Sequence, residues 1–235
     1  MEAIKIKSKV NSEIELTVMP GHFSRDRFHV NYYIEMSRLK TRVKAAKKIA
    51  AAMAQQYIKK VDIKLGYNSS LIEMGSLTAM GANVKPVDTI ICMDGCEVIG
   101  AYLAEEFMKV GVPNKTQHKS VYVVTPEFDN RGQMVVRKNT KDLIKGRNVL
   151  VVLASAMSGQ TITKAIGTIL AYGGKITGLS VIFGNIDEVD GYPVYSVFSK
   201  DDIPNFTLSD PDDCPDCKAG KKLDAVVNSY GYELL

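Results

Sequence analysis

The sequence contains no tryptophan, only 8% of its 235 residues are aromatic, and its formal net charge is only +4, from 30 basic and 26 acidic residues. A nucleic-acid-binding surface usually concentrates basic side chains and places aromatic residues among them. Neither pattern is present, so we predict no nucleic-acid partner. The lysines at 44–48 are interpreted as the solvated face of a helix, and the modest positive charge suits a small anionic ligand.

The sequence also lacks a long apolar run. No stretch approaches the ~18 residues of a membrane-spanning helix, and the N-terminal segment alternates charged and apolar residues instead of forming a signal-peptide core. We therefore predict a cytoplasmic protein without a membrane partner.

Cysteine and histidine are scarce, with four and three residues respectively. In the cytoplasm the cysteines are expected as thiols. Cys214-x-x-Cys217 has the spacing of half a zinc site, which Cys92 and Cys96 or a second chain would have to complete; the alternative is a reduced structural pair. His22 and His29 are interpreted as local hydrogen-bonding residues.

What the chain does have is an alternation of short apolar runs and amphipathic segments. A first helix is predicted at about 38–59, and the segment 65–86 is a loop, a hood element or an insertion. Buried strands are predicted at 87–92, 121–124, 148–153 and 176–183, helices at about 98–109 and 160–172, and a hairpin or mobile flap at 127–145. This order predicts an α/β fold with a doubly wound parallel sheet in a single domain, 1–235.

The turn after the strand at 148–153 is the strongest candidate site. In a parallel sheet, ligands bind at the carboxyl ends of the strands. Ala156-Met157-Ser158-Gly159-Gln160-Thr161 offers small residues, two hydroxyls and the N-terminus of the next helix, which together suit a phosphate. The alternative is structural: Ser158 is the N-cap and Gly159 makes a tight turn.

The stretch VLVVLASAMSGQT resembles the phosphoribosyl-diphosphate (PRPP) signature of type I phosphoribosyltransferases, in which an apolar strand precedes a 5′-phosphate loop. PGHFSRDRFHVNYYIEM, VDTIICMDGCEVIGAYLAEEF and DDCPDCKAGKKLDA resemble further segments of orotate phosphoribosyltransferases, in the same order along the chain. The resemblance implies a core at about 84–183 and a small hood built from about 1–36 and 184–235.

The resemblance also implies roles for individual residues. Ala156 to Thr161 would hold the 5′-phosphate, Cys96 and Glu97 would form the pyrophosphate loop, and Phe23 and Tyr33 would line the base hood. Arg137, Lys138 and Lys141 would act in catalysis on a flexible loop. A second alignment, which keeps the strand order, places residues 125–127 at that position instead. Mg²⁺ would accompany PRPP, and the protein would be a homodimer.

The sequence departs from the family at the acidic pair that holds the ribose hydroxyls, because Leu153 and Ala154 occupy these positions. Each lost charge-assisted hydrogen bond is worth about 1.5–3 kcal/mol. Two functions therefore stay open. One is transfer of a phosphoribosyl group from PRPP to a pyrimidine or related base; the other is non-catalytic or regulatory binding of a nucleotide or sugar phosphate.

Overall fold

A computed structural model describes residues 2–59, 83–84, 86–109 and 120–235. Most of the segment predicted as a loop or insertion, 65–86, lies outside the described residues. Within the described residues, no helix is long and apolar enough to cross a membrane.

The core is a six-stranded sheet. Its strands are β6 (Thr89–Cys92), β7 (Tyr122–Val124), β10 (Asn148–Ala156), β11 (Lys175–Gly184), β12 (Glu188–Val189) and β13 (Tyr192–Ser199). They lie in the order β12-β13-β11-β10-β6-β7. All neighbours are parallel except β12, which forms an antiparallel pair with β13.

Apolar side chains cover both faces of this sheet, because neighbouring residues of a strand point to opposite sides. Ile90 and Leu150 pack with the helices α2 (Val43–Ala54) and α3 (Glu97–Lys109), and Ile91 and Val149 belong to the cluster that includes α4 (Gln160–Ala171). The predicted doubly wound α/β fold is therefore confirmed.

A second sheet joins the two ends of the chain. It contains β1 (Ile4–Lys7), β2 (Glu15–Arg25), β3 (Phe28–Glu35), β14 (Leu208–Ser209), β15 (Ala225–Val227) and β16 (Tyr232–Leu234). The order is β14-β3-β2-β15-β16, and β1 pairs with the other part of β2. This sheet is the expected hood of N- and C-terminal segments.

Two boundaries differ from the sequence predictions. The core does not end at residue 183, because β13 adds a further parallel strand beside β11 and the hood begins later. The helix predicted at 38–59 is divided at Arg42, whose backbone is extended, into α1 (Ser37–Thr41) and α2. Periodicity missed the break because apolar residues continue on both sides of it.

The short elements complete the description. Two small antiparallel ribbons are formed by β4 (Ile58–Lys59) with β5 (Asn83–Val84), and by β8 (Glu127–Phe128) with β9 (Met134–Val135). The second ribbon is the hairpin predicted within 127–145. A four-residue helix, α5 (Pro215–Lys218), lies in the C-terminal segment, and short 3₁₀ turns occur at Lys141–Leu143, Lys200–Asp202 and Pro211–Asp213.

Candidate phosphate-binding site

A cavity of about 200 Å³ lies at the carboxyl ends of β6 and β10. The chain continues from β6 to β7 on one side of the sheet, and from β10 to β11 on the other. The β6–β10 pair is therefore the topological switch point, where α/β sheets open a crevice for ligands. The cavity is lined by Arg25, Asp26, Asp94, Ser155, Ala156, Met157, Ser158, Gly159, Gln160, Thr161, Ile162, Asn228 and Ser229.

The predicted phosphate loop forms one wall of this cavity. Gly159 is the N-cap residue of α4 and has φ +80°, a left-handed conformation that glycine adopts readily. A Cβ at this position would lie 2.9 Å from Cδ1 of Ile186 and 3.0 Å from Cγ2 of Val189. The site therefore requires glycine for two separate reasons.

Ser158 does not cap the helix. Among the residues that the structure describes, no side chain makes a capping hydrogen bond at the N-terminus of α4, and Ser158, Gln160 and Thr161 are exposed on the cavity wall. The first N–H groups of a helix have no partner within the helix. The structural alternative for Ser158 is thus wrong, and the loop combines hydroxyls with the positive end of a helix dipole, as an anion requires.

Asn185 fixes the back of the loop. Its backbone N–H donates to the Ala156 carbonyl at 2.8 Å, and its Nδ2 donates to the Met157 carbonyl at 3.1 Å. Asn185 lies just beyond β11. In this chain it supports the phosphate loop.

The opposite wall comes from the tip of the β2–β3 hairpin. Nη2 of Arg25 donates to Oγ of Ser155 at 2.7 Å, which connects the hood to the end of β10. Burial lowers the pKa of Arg25, but a guanidinium stays protonated in proteins. Its remaining N–H groups face a cavity that can hold an anion.

Asp94 contributes a carboxylate to the same cavity. It follows β6 in a turn in which Asp94 and Gly95 have φ +57° and +75°. Burial raises the pKa of Asp94, while Lys40 and Arg25 oppose this effect. The negative charge of Asp94 therefore opposes the binding of an anion in the cavity, and Asp94 protonates more readily than an exposed aspartate.

Lys40 connects the two parts of the cavity wall that contain Asp94 and Ser229. Its side chain is buried, and Nζ donates to the carbonyls of Asp94 at 2.5 Å and Ser229 at 2.6 Å. It also lies 4.5 Å from the centre of the Tyr230 ring. These contacts fix the turn after β6 against the turn between β15 and β16.

The other predicted ligand positions lie elsewhere. Cys96 is fully buried, and Glu97 begins α3 and accepts a hydrogen bond from Thr125 at 3.3 Å. Neither lines the cavity, where Asp94 is the residue from this turn. Leu153 and Ala154 are buried on opposite faces of β10, so the positions that lack the family acids belong to the core.

The basic residues predicted for catalysis do not line the cavity. Arg137 pairs with Glu127, to which its Nε donates at 3.0 Å, and Lys141 lies 5.8 Å from the ring centre of Tyr172. Lys138 is exposed beyond β9. The structure thus places all three around the hairpin of β8 and β9, outside the residues that form the phosphate cradle.

Phe23 and Tyr33 are buried in the core of the hood. Their rings are 6.4 Å apart, Tyr33 also contacts the Tyr232 ring at 5.0 Å, and its hydroxyl donates to Glu35 at 2.9 Å. Neither lines the cavity. In this structure both residues stabilise the hood.

The cysteines divide into two separate groups. Cys92 and Cys96 are buried in the main core, whereas Cys214 and Cys217 lie beside His22 and His29 in the hood. Of the two ways considered for completing a zinc site at Cys214 and Cys217, the one through Cys92 and Cys96 is excluded, because the two pairs belong to different parts of the fold.

Several lining residues were missed by the sequence analysis: Arg25, Asp26, Asp94, Asn228 and Ser229. For Asp94 a signal existed, since it directly follows a predicted parallel strand next to the one that carries the loop. The other four lie in hood turns, and no local pattern links them to β10.

Fold and cavity together define an α/β protein with a polar cavity at the switch point of its parallel sheet. The sequence matches no protein-family profile and no curated protein. Among solved structures, the chain is similar to the Mycobacterium tuberculosis orotate phosphoribosyltransferase in complex with PRPP, at 15% identity over 72% of this chain and 82% of that chain, with a TM-score of 0.45. It is also similar to Leishmania donovani UMP synthase, at 16% identity over 78% and 34% of the two chains and a TM-score of 0.48.

A Corynebacterium diphtheriae phosphoribosyltransferase is 13% identical over 77% of this chain and 90% of that chain, with a TM-score of 0.45. The Mycobacterium tuberculosis and Corynebacterium diphtheriae structures carry the name of the family that the sequence resembles. At such low sequence identity, these similarities concern the fold alone. What the cavity binds depends on its own residues.

Proposed function

We propose that this protein binds a 5′-phosphorylated ribose compound, such as PRPP or a nucleoside monophosphate, with the phosphate on the loop Ala156–Thr161. The observation that carries the proposal is the uncapped N-terminus of α4, which faces a cavity that also contains the Arg25 guanidinium. Backbone N–H groups, hydroxyls and a cation then converge on one anion.

The cavity size supports a sugar phosphate. At about 200 Å³ it is smaller than the ~300–1,000 Å³ of pockets for drug-sized ligands. Phosphate and ribose would fill it, and a base or diphosphate would extend towards its opening.

Asp26 and Asp94 support the ribose part of the proposal. Both line the cavity, and neither is on β10. Carboxylates accept hydrogen bonds from hydroxyls. We therefore assign to Asp26 and Asp94 the role that the acidic pair, absent at positions 153 and 154, would perform, which is to bind the ribose hydroxyls.

Binding without transfer is the function that this arrangement supports best. The basic residues Arg137, Lys138 and Lys141 and the hood residues Phe23 and Tyr33 lie outside the cavity wall. A leaving diphosphate and an acceptor base would therefore have fewer contacts than the resemblance implies.

Phosphoribosyl transfer is the second candidate, and Asp94 with Asp26 favours it. Carboxylates that approach a phosphate site suit Mg²⁺, which binds through one or two carboxylates together with substrate phosphates. Mg²⁺ held by Asp94 and Asp26 would neutralise the charge of a diphosphate.

The first experiment is calorimetric titration with sulfate, ribose 5-phosphate, uridine monophosphate and PRPP, the last with and without Mg²⁺. We expect ribose 5-phosphate to bind more tightly than sulfate, because the ribose adds contacts to the carboxylates. If none of these ligands binds at millimolar concentration, the proposal is wrong.

The second experiment separates binding from transfer. Diphosphate release from PRPP is measured with a panel of pyrimidine and purine bases. Release that disappears in Asp94→Asn but not in the control Asp190→Asn would establish transfer. Asp190 is a suitable control because its backbone, like that of Asp94, has a positive φ (+51°). Unlike Asp94, it is exposed and lies outside the cavity. PRPP binding without release supports the non-catalytic function.

A further inference from the structure

Four potential metal ligands meet on the hood. They are His22 on β2, His29 on β3, Cys214 immediately before α5 and Cys217 within it. One ligand atom from each residue lies within 4.8 Å of all the others. We call these four residues the tetrad.

Four of the six separations within the tetrad lie close to those of tetrahedral zinc coordination, and all six are at most 4.8 Å. Nε2 of His22 lies 3.1 Å from Nδ1 of His29 and 3.4 Å from Sγ of Cys214, and Sγ of Cys217 lies 3.2 Å from Nδ1 of His29. A tetrahedron with Zn–N of ~2.0–2.1 Å and Zn–S of ~2.3 Å has ligand separations of ~3.3 Å between nitrogens and ~3.6 Å between nitrogen and sulfur.

Hydrogen bonding alone accounts poorly for this geometry. Nδ1 of His22 lies 3.0 Å from the Lys221 carbonyl, which can only accept, so Nδ1 carries the proton and Nε2 presents its single lone pair. Three atoms approach Nε2 within 3.6 Å: Nδ1 of His29 and both sulfurs. One lone pair cannot accept from all three, whereas a cation at their centre binds all four ligand atoms.

The surroundings of His22 are those of a metal ligand. A ligating histidine usually donates its other ring N–H to a carbonyl or carboxylate, which fixes the orientation of the ring. The Lys221 carbonyl performs this role for His22. The backbone N–H of His22 also donates to Asp224 at 2.7 Å, so the ligand is held from both ends.

We propose that His22, His29, Cys214 and Cys217 bind one structural Zn²⁺ ion. Two thiolates and two neutral imidazoles give a site with no net charge, and four protein ligands leave no open position for chemistry. His22, His29 and Cys214 are buried, while Cys217 is exposed and provides the route by which the ion enters.

The site would connect the C-terminal segment to the β2–β3 hairpin. The hairpin carries Arg25 at its tip, and the C-terminal segment carries Asn228 and Ser229, so both supply walls of the phosphate cavity. The pairing of β15 with β2 and the contact of Tyr33 with Tyr232 also join these two parts. Because metal binding contributes free energy to folding, loss of the ion should destabilise this sheet.

The test is elemental analysis of protein produced with added zinc, purified without chelator and separated from free metal by gel filtration. We expect about one zinc per chain in the wild type and in the control Cys92→Ala, whose thiol lies in the main core. The double variant Cys214→Ser/Cys217→Ser and the variant His22→Gln should each lose at least tenfold in zinc content.

Two measurements on the wild type guard against variants that fail to fold. Replacement of zinc by Co²⁺ should produce thiolate charge-transfer absorption and the intense visible bands of tetrahedral cobalt. Titration with a mercurial reagent should release the zinc as two thiols react. A folded wild type that retains under a tenth of an equivalent of zinc, or that contains a Cys214–Cys217 disulfide, overturns the proposal.

Discussion

Replacement of Gly159 tests the geometry of the phosphate loop most directly. In Gly159→Ala, a left-handed alanine costs about 1–2 kcal/mol, of which reduced freedom of the unfolded chain returns about 0.4–1 kcal/mol. The new Cβ would also lie 2.9 Å from Ile186 and 3.0 Å from Val189. Overpacking of this kind costs about 1–3 kcal/mol more, so we expect an unfolding free energy about 1–4.6 kcal/mol lower.

Gly191 provides a matched control. It has the same φ of +80°, and a Cβ there would meet no atom within 4 Å. Gly191→Ala should therefore cost only about 1 kcal/mol, from the backbone term alone. The difference between the two variants, measured by urea denaturation, isolates the steric contribution at Gly159.

A double-mutant cycle identifies the contact responsible. Ile186→Val removes the Cδ1 atom nearest to the new Cβ, and should recover about 1 kcal/mol of the Gly159→Ala loss as coupling energy. Gly159→Ala should also weaken sulfate binding, while Gly191→Ala should leave it unchanged. If both alanine variants have equal stability and equal sulfate affinity, the loop is not packed as described.

Three further predictions concern the cavity and the sheet beneath it. Arg25→Met should weaken sulfate binding by roughly 10- to 100-fold through loss of a charge-assisted contact. The control Arg27→Met, at an exposed neighbouring residue, should bind sulfate as the wild type does. If calorimetry gives the same affinity for Arg25→Met and the wild type, Arg25 is not part of the site. Sulfate affinity should rise as the pH falls, because burial raises the pKa of Asp94 and this carboxyl therefore loses its charge at a higher pH than an exposed aspartate does. Asp94→Asn should bind sulfate roughly 5- to 30-fold more tightly at pH 7 with a flatter pH profile. A wild-type profile no steeper than that of Asp94→Asn would contradict this. Asp88 accepts two 2.7 Å hydrogen bonds from Asn148 at the opposite end of β10. Asp88→Ala should therefore lower the unfolding free energy by about 2–4 kcal/mol without changing the sulfate affinity of the folded protein. A loss of less than about 0.5 kcal/mol, the usual size of a surface substitution, would refute this prediction.

The sequence determined the elements of the core and the phosphate loop, because both are local. The run 149–153 is apolar at every position, as a strand covered on both faces requires, and the observed strand β10 contains all of it and continues to Ala156. The loop at 156–161 follows such a strand within a few residues. Its place at the carboxyl edge of the sheet is therefore fixed once the strand and the helix α4 are recognised.

The break at Arg42 and the parallel strand β13 escaped prediction for a related reason. Arg42 interrupts a helix while the apolar pattern continues, so the periodicity carries no sign of the break. β13 contains Pro193, lies beside the edge strand β12, and mixes buried and partly exposed residues without a regular period. A pattern of this kind does not distinguish a core strand from a hood strand.

Only the tertiary structure shows which residues line the cavity and which residues meet around the proposed zinc ion. Arg25 reaches Ser155 across 130 residues of sequence, and Cys214 reaches His22 across 192. Hydrophobic periodicity encodes which face of an element is buried, whereas such contacts depend on how strands pair across the whole chain: β2 with β3, and β15 with β2. The sequence thus predicted the loop Ala156–Thr161 and its place at the edge of the sheet, and the pairing of the chain ends supplied Arg25, the far wall of the cavity and the tetrad.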